Sequence, residues 1–216
     1  MGNDGKKRFA VLLCAEDSDY VKKKYGGYFG VFVQMLAEEG ETWDVYRVAA
    51  GDFPDDGDIA AYDGFVITGS FSDAHGDDLW IRDLLILLKK LNSFNKKVLG
   101  ICFGHQLFAS LKLPDLLSII ECHQDEVWEL PPKAEVMAWS NKTGIEMFKY
   151  GDHIMGIQGH PEYTKDIILH LIDRLLHHNL IMESYADEVK ANVENHEPHR
   201  EAWKKLCISF LKGRLW

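Results

Sequence analysis

The sequence predicts an α/β fold in which helices cover both faces of a largely parallel sheet. Two observations support this prediction: apolar runs typical of buried strands alternate with amphipathic stretches, and glycines follow several of the runs. In such sheets, binding sites form beyond the carboxyl ends of the strands. We expect one domain over residues 1–216, with a core over residues 8–180 and a helical C-terminal extension over residues 181–216.

Strands and helices alternate through the N-terminal half of the chain. The apolar or alternating runs that predict strands are residues 8–15, 42–49, 64–68 and 98–101. The amphipathic segments that predict helices are residues 28–39, which precede a C-cap at Gly40, and residues 77–91. Residues 51–63 are acidic and contain Pro54 and Gly57, so they predict a surface loop.

The pattern changes in the C-terminal half. A short helix is expected over residues 104–113 and a strand over residues 118–121. Three short runs separated by turn residues predict an antiparallel meander over residues 135–139, 145–150 and 153–158. Helices are then expected over residues 165–179, with Thr164 as N-cap, and over residues 182–195 and 199–211.

One cysteine, Cys102, stands at a strand-to-helix junction in the segment KKVLGICFGHQ, residues 96–106. Gly100 and Gly104 give the G-x-nucleophile-x-G spacing of a nucleophile elbow, whose tight turn places the nucleophile above the sheet edge. A helix N-terminus also favours the thiolate. A lone cysteine is more often a small buried hydrophobe, but the glycines and the preceding strand favour a nucleophile here.

A thiol nucleophile needs a base, and the base needs an orienting group. The segment GIQGHPE, residues 156–162, supplies both at the end of a predicted strand. We expect His160 to act as the base and Glu162 to fix the tautomer of its imidazole, with Pro161 stiffening the turn. His105, which lies beside the elbow, is expected to be structural.

An acyl-transfer site also needs backbone N–H groups close to the attacked carbonyl oxygen. Phe103, directly after the nucleophile, offers one such group. The Gly69-Ser70 turn, which follows the third predicted strand, offers the other. Gly69 can equally be an ordinary glycine at the end of a strand, so both readings stay open at this point.

Composition argues against several classes of function. The net charge of −10 argues against nucleic-acid and anionic-membrane partners. The four cysteines are scattered, as expected in a reducing compartment, and no apolar run is long enough for a bilayer span or a secretory leader. We therefore expect a cytosolic protein. Its cysteines and histidines match no zinc spacing, so neither a metal nor another cofactor is expected.

Two motifs together resemble class I glutamine amidotransferase domains: GICFGHQ at residues 100–106 and QGHPE at residues 158–162. That family has a flavodoxin-like α/β fold and hydrolyses a γ-glutamyl amide through a Cys-His-Glu triad. More narrowly, the chain is similar to plant γ-glutamyl peptidases of peptidase family C26. Further stretches that support this similarity are residues 21–29, 62–70, 122–127 and 206–214, so the resemblance extends over nearly the whole chain.

The resemblance implies roles for individual residues. Cys102 would be the nucleophile, His160 the base and Glu162 its orienter, while Gln106 would support the substrate site and His123 would belong to it. The peptidase members cleave the γ-glutamyl bond of glutathione conjugates in the cytosol, in sulfur-containing defence metabolism of the glucosinolate type. The implied partner is therefore a small γ-glutamyl compound. The oligomeric state is left open.

The chain departs from the family after the elbow helix. Family members carry several dozen residues there, including a Gly-Gly-containing strand segment that helps bind the glutamyl α-amino and α-carboxyl groups. Here Leu113 is followed almost directly by Ser118. We expect an intact parallel core, with Cys102, His160 and Glu162 still close together. We also expect a wider, more solvent-exposed substrate cleft, lower stability than that of full-length relatives, and weak or absent peptidase activity.

Three functional hypotheses follow from these observations. The first is a γ-glutamyl peptidase that acts on its own. The second is a glutaminase module that supplies ammonia to a separate synthetase, and the third is a shortened, catalytically inactive variant.

Overall fold

A computed structural model describes residues 6–74, 76–103 and 118–214. Its strands are β1 (Arg8–Leu12), β2 (Thr42–Tyr46), β3 (Gly64–Ile67), β4 (Lys97–Ile101), β5 (Ala134–Ser140), β6 (Gly144–Tyr150) and β7 (Ile154–Ile157). Its helices are α1 (Asp19–Tyr25), α2 (Tyr28–Leu36), α3 (Asp56–Ala61), α4 (Leu79–Ser93), α5 (Lys165–His177), α6 (Glu183–Asn195) and α7 (Arg200–Leu211), with a 3-10 turn at Val48–Ala50.

The described strands form one sheet in the order β2-β1-β3-β4-β7-β6-β5. Strands β2, β1, β3, β4 and β7 pair in parallel, whereas β6 runs antiparallel to both of its neighbours. The expected α/β fold with a parallel sheet and a short antiparallel part is confirmed. Because β4 and β7 are parallel neighbours, the residues that follow them emerge at the same edge of the sheet.

Alternating side chains of the parallel strands bury both faces of the sheet, which explains their continuous apolar sequence. Along β1, Phe9 and Val11 pack into the cluster that contains side chains of α2 and α7. The intervening Ala10 and Leu12 pack into a second cluster, which contains side chains of α4. The sheet is therefore the middle layer of three.

The C-terminal helices pack on this body in two places. Side chains of α7, among them Trp203 and Phe210, are buried in the same cluster as β1 and β4, while α6 packs against α5. Beyond α7, the fully buried side chain of Lys212 forms an ion pair with Glu41. The division of the domain at residue 180 stays a prediction.

Some expected elements differ from the observed ones. The loop predicted over residues 51–63 contains α3, since the Asp55 side chain accepts a hydrogen bond from the Asp58 N–H at 2.8 Å and caps the helix. The strand expected over residues 118–121 is wrong: these residues lie outside the sheet, and Ile119 and Ile120 pack into two different apolar clusters. The helix expected over residues 104–113 lies outside the described residues.

Candidate active site

Cys102 directly follows β4 at the carboxyl edge of the sheet. Its N–H donates to the Ile157 carbonyl at 2.8 Å, which extends the β4–β7 pairing up to the cysteine itself. The backbone φ of Cys102 is +51°, a left-handed conformation that a non-glycine residue adopts at some energetic cost. Such a strained turn is the geometry of a nucleophile elbow. The residue is 4% exposed and lines a cleft.

His160 and Glu162 follow β7 and lie beside Cys102. The His160 Nδ1 is 2.8 Å from the Glu162 Oε1, and both residues are almost fully buried. The His160 N–H donates to the Ile120 carbonyl at 2.8 Å, which fixes the backbone that carries the imidazole. With Nδ1 engaged by Glu162, Nε2 is the ring nitrogen available to Cys102.

The surroundings of His160 favour its charged form. Burial alone lowers the pKa of the imidazole, but the charges of Glu162 and Cys102, together with hydrogen bonds to both, raise the pKa of His160 well above its ordinary value. A protonated imidazole beside a thiol favours the thiolate.

The other three cysteines lie in surroundings that suppress thiolate formation. Burial is the largest cause that raises the pKa of the Cys14, Cys122 and Cys207 thiols. The raised pKa values disfavour these three thiols as nucleophiles.

Gly69 lies against the side chains of Cys102 and His160. A Cβ atom at this position would stand 3.0 Å from the His160 Cε1 and 3.5 Å from the Cys102 Cβ. A side chain here would therefore press on the imidazole and displace it by a few tenths of an ångström, so the close approach favours glycine. This observation goes beyond the reading of Gly69 as an ordinary strand-ending glycine.

The remaining expected site residues fall in different places. Ser70 lines the cleft, and its hydroxyl oxygen accepts a hydrogen bond from the Ser72 N–H at 3.1 Å. Phe103 is fully buried, with its ring 5.5 Å from that of Trp80. Gln106 lies outside the described residues. The oxyanion roles of the backbone N–H groups of Gly69 and Phe103 stay predictions.

His123 lines the same cleft as part of a pair. Its Nε2 is 3.2 Å from the Glu121 Oε2, and its Nδ1 is 2.9 Å from the Asp125 carbonyl oxygen. The hydrogen bond to Glu121 is the largest cause that raises the pKa of His123, while burial raises the pKa of Glu121. This pair gives the cleft polar, ionisable groups a short way from the thiol.

Sequence reasoning missed one residue that packs on His160. The ring of Tyr163 stacks on the His160 imidazole, with a centroid separation of 4.0 Å and an interplanar angle of 11°. Tyr163 is buried and packs in turn against Tyr28. Its position directly after the His-Pro-Glu segment was the available signal, because a residue three positions after the base can fold back onto the ring.

The cleft that contains Cys102 and His160 has a volume of about 640 Å³. Its walls come from the loop after β3, the coil after Ser118 and the helices α5 and α6. The described residues contain no group of three or more His, Cys, Asp or Glu that could hold a metal ion. No helix among them has the length and apolar character needed to cross a bilayer.

Comparisons with known proteins place the chain in a family. Gamma-glutamyl peptidase 5 of Arabidopsis thaliana is 48% identical over 242 aligned residues, covering 96% of this chain and 96% of the relative. Gamma-glutamyl peptidase 3 of the same plant is 45% identical, covering 96% and 98%. The 242 aligned positions exceed the 216 residues of this chain by 26, so that relative carries at least 26 residues that are absent here.

The fold comparison agrees with the sequence comparison. A glutamine amidotransferase from Thermotoga maritima superposes with a TM-score of 0.69 at 16% identity, covering 97% of this chain and 98% of that one. A search against family models found no match. The identity and coverage of the plant relatives decide the matter: the chain belongs to the γ-glutamyl peptidase family, with the fold of class I glutamine amidotransferases.

Proposed function

We propose that this protein is a cysteine-dependent γ-glutamyl peptidase that hydrolyses the γ-glutamyl bond of glutathione conjugates in the cytosol. The observation that carries the proposal is the juxtaposition of Cys102, His160 and Glu162 at one edge of the sheet, with Gly69 against both reacting side chains. The names of the plant relatives support the class of bond that is cleaved.

In the first half of the proposed reaction, the Cys102 thiolate attacks the γ-carbonyl carbon of the substrate. A C–S bond forms, and the carbonyl π electrons move to the oxygen, which the N–H groups of Gly69 and Phe103 would stabilise. Collapse of this intermediate breaks the C–N bond. His160 gives its Nε2 proton to the departing amine, which leaves a γ-glutamyl thioester on Cys102.

In the second half, water replaces the amine. His160 takes a proton from the water molecule, the resulting hydroxide attacks the thioester carbon, and the C–S bond breaks. Free glutamate leaves, and the thiolate and the imidazolium are restored. Glu162 holds the imidazole through Nδ1 and stabilises the positive charge that His160 carries before the amine departs and again after the thioester is hydrolysed.

The proposal is tested by incubating the purified chain with S-methylglutathione and, separately, with glutamine, and by measuring the release of glutamate. We expect release from S-methylglutathione to be faster, and Cys102→Ala to release none. Faster hydrolysis of glutamine would favour a glutaminase module that serves a separate synthetase. Absence of thiol-dependent release from both compounds would favour a catalytically inactive, shortened variant.

A further inference from the structure

A second thiol, that of Cys122, lies beside the nucleophile. Cys102 and Cys122 both line the cleft, and the Cys102 Sγ is 3.9 Å from the Cys122 carbonyl oxygen. The sulfur and the carbonyl group of a cysteine branch from the same Cα atom, so the Cys122 sulfur is a short distance from that of Cys102. The catalytic steps proposed above give Cys122 no role.

The backbone around Cys122 is tied to the sheet edge but belongs to no regular element. The Ile120 carbonyl accepts a hydrogen bond from the His160 N–H at 2.8 Å, which keeps this segment beside the base. Residues 118–133 contain no helix or strand. The Cys122 side chain packs partly against the apolar cluster that contains Tyr163. A bond between the two sulfurs therefore needs a rotation of the Cys122 side chain and a local backbone shift, and no helix or strand has to unfold.

The other two cysteines are placed differently. Cys14 is 1% exposed and Cys207 is fully buried, and neither is among the described residues that line the cleft. Cys122 is only partly buried. A small reagent that enters the cleft therefore meets two thiols, and these two are neighbours.

We propose that Cys102 and Cys122 form a site of reversible oxidation by hydroperoxides, at which a disulfide between them inactivates the nucleophile. In the first step, the Cys102 thiolate attacks one oxygen of hydrogen peroxide, the S–O bond forms and the O–O bond breaks. The departing hydroxide takes a proton from the His160 imidazolium and leaves as water. Cys102 is then a sulfenic acid, oxidised by two electrons.

In the second step, the Cys122 sulfur attacks the Cys102 sulfur. The S–S bond forms, the S–O bond breaks, and the hydroxide leaves as water with the proton of the Cys122 thiol. In total, the two cysteines lose two electrons and one molecule of hydrogen peroxide is reduced to two of water. A dithiol reverses the change by thiol–disulfide exchange, which returns Cys102 to its active form.

The first step also prepares Cys122 for the second. Burial, the largest cause, and the charge of Cys102 both raise the pKa of the Cys122 thiol. A sulfenic acid at Cys102 is neutral, so the second of these causes is lost once the first step is complete. Because the attack then occurs between neighbouring groups of one chain, a small fraction of thiolate at Cys122 is sufficient.

The test treats the purified chain with excess hydrogen peroxide, blocks free thiols with iodoacetamide and maps the cysteines by mass spectrometry. Lys112 lies between Cys102 and Cys122 in the sequence, so trypsin places them on different peptides that only a disulfide joins. We expect this joined pair, and dithiothreitol should make both cysteines available to iodoacetamide again. Oxidation of Cys102 to a sulfinic acid without the joined pair would overturn the proposal. A disulfide to Cys14, to Cys207 or to a second chain would overturn it too.

Matched variants separate the neighbouring thiol from the others. In Cys122→Ala, peroxide should carry Cys102 on to the sulfinic acid, so the fraction of Cys102 that dithiothreitol restores should fall at least about tenfold. The control is Cys207→Ala, since Cys207 lies in the same apolar cluster as Cys102 but is absent from the described cleft lining. It should leave the restored fraction as in the unmodified protein. Full recovery of Cys102 in Cys122→Ala would contradict the proposal.

These readouts are masses, so they do not depend on the proposed peptidase function. Where the chain does release glutamate from S-methylglutathione, peroxide should abolish the release and dithiothreitol should restore it, in the unmodified protein but not in Cys122→Ala. Turnover that survives complete formation of the disulfide would overturn the inactivation and leave the proposed function in place. A joined pair in a chain that hydrolyses no γ-glutamyl compound would support the oxidation site and refute the peptidase.

Discussion

Two regions meet at the cleft, and they are built differently. The first is the carboxyl edge of the parallel sheet, where Cys102 and His160 follow two paired strands and the Cys102 N–H still belongs to the ladder. The second is the return segment, residues 118–133, which contains no helix or strand. It forms part of the cleft wall and includes the Glu121–His123 pair.

Hydrogen bonds tie the return segment to helix α7, to the residue before that helix and to His160. The Ser118 carbonyl accepts hydrogen bonds from the Trp203 Nε1 and from the His199 N–H, each at 3.1 Å, and the Ser118 N–H donates to the His199 Nδ1 at 3.0 Å. Further along, the Ile120 carbonyl accepts from the His160 N–H. The difference teaches that Cys102 and His160 are positioned by paired strands, whereas the return segment is held mainly by hydrogen bonds to helix α7 and to the residue before it.

Replacement of the nucleophile should have the largest effect. Cys102→Ala removes the attacking atom, so kcat/KM for S-methylglutathione should fall by at least about 10³-fold. Cys122→Ala, in the return segment, is the matched control and should retain most of the activity, since burial raises the pKa of that thiol. Equal losses of kcat/KM in the two variants would show that turnover depends on the thiol of the return segment as much as on the thiol at the sheet edge.

The second effect concerns pH. Glu162→Gln removes a charge that raises the pKa of His160, so that pKa should fall. Because turnover needs a protonated His160, the alkaline limb of the pH–rate profile should move to lower pH, and kcat should drop by about 10²-fold. The exposed Glu129→Gln is the control for the charge change. An unmoved alkaline limb in Glu162→Gln would show that Glu162 does not act on the base.

The third effect concerns the residues that this chain lacks relative to the plant family members. We expect that inserting the missing segment of a full-length relative between Leu113 and Ser118 would increase kcat/KM and raise the melting temperature. The physical reason is that the segment would cover apolar surface and complete the pocket for the glutamyl group. Thermal unfolding and steady-state kinetics, measured on the chain with and without the inserted segment, test this expectation. Equal activity and stability of the two forms would show that the segment contributes to neither.

The smallest effect is expected at the anchor of the return segment. Trp203→Phe keeps a buried aromatic ring but removes the Nε1–H donated to Ser118, at a cost of about 1 kcal/mol in the free energy of unfolding. KM should rise more than kcat falls, because the wall moves and the reacting groups do not. Trp139→Phe, exposed on β5, is the control. A lower kcat with an unchanged KM would show that the hydrogen bond between Trp203 and Ser118 affects the chemical step instead.

The parallel sheet was predictable because its strands are buried on both faces and therefore read as continuous apolar runs. The placement of Cys102 and His160 at one edge of the sheet was predictable, because each follows an apolar run in a short motif with particular residues at particular spacings. Helix α3 was not predictable, since the aspartates that mark a loop also suit the N-cap and the first turn of a helix.

Local sequence patterns could not predict the contacts between distant segments. Ile119 and Ile120 have the apolar character of a strand, yet each packs into a different cluster without joining the sheet. The cation–π contact between Arg174 and Phe71 joins a helix to a loop about a hundred residues away, and no local pattern signals it.

The central claim is that Cys102 carries the γ-glutamyl group during turnover. The most direct measurement is to mix the protein with S-methylglutathione, quench with acid within the first turnover, and map the modified peptide by mass spectrometry. We predict one γ-glutamyl thioester, on the peptide that contains Cys102, and its absence in Cys102→Ala. Turnover without any adduct at Cys102, or an adduct on the peptide that contains Cys122, would contradict the account.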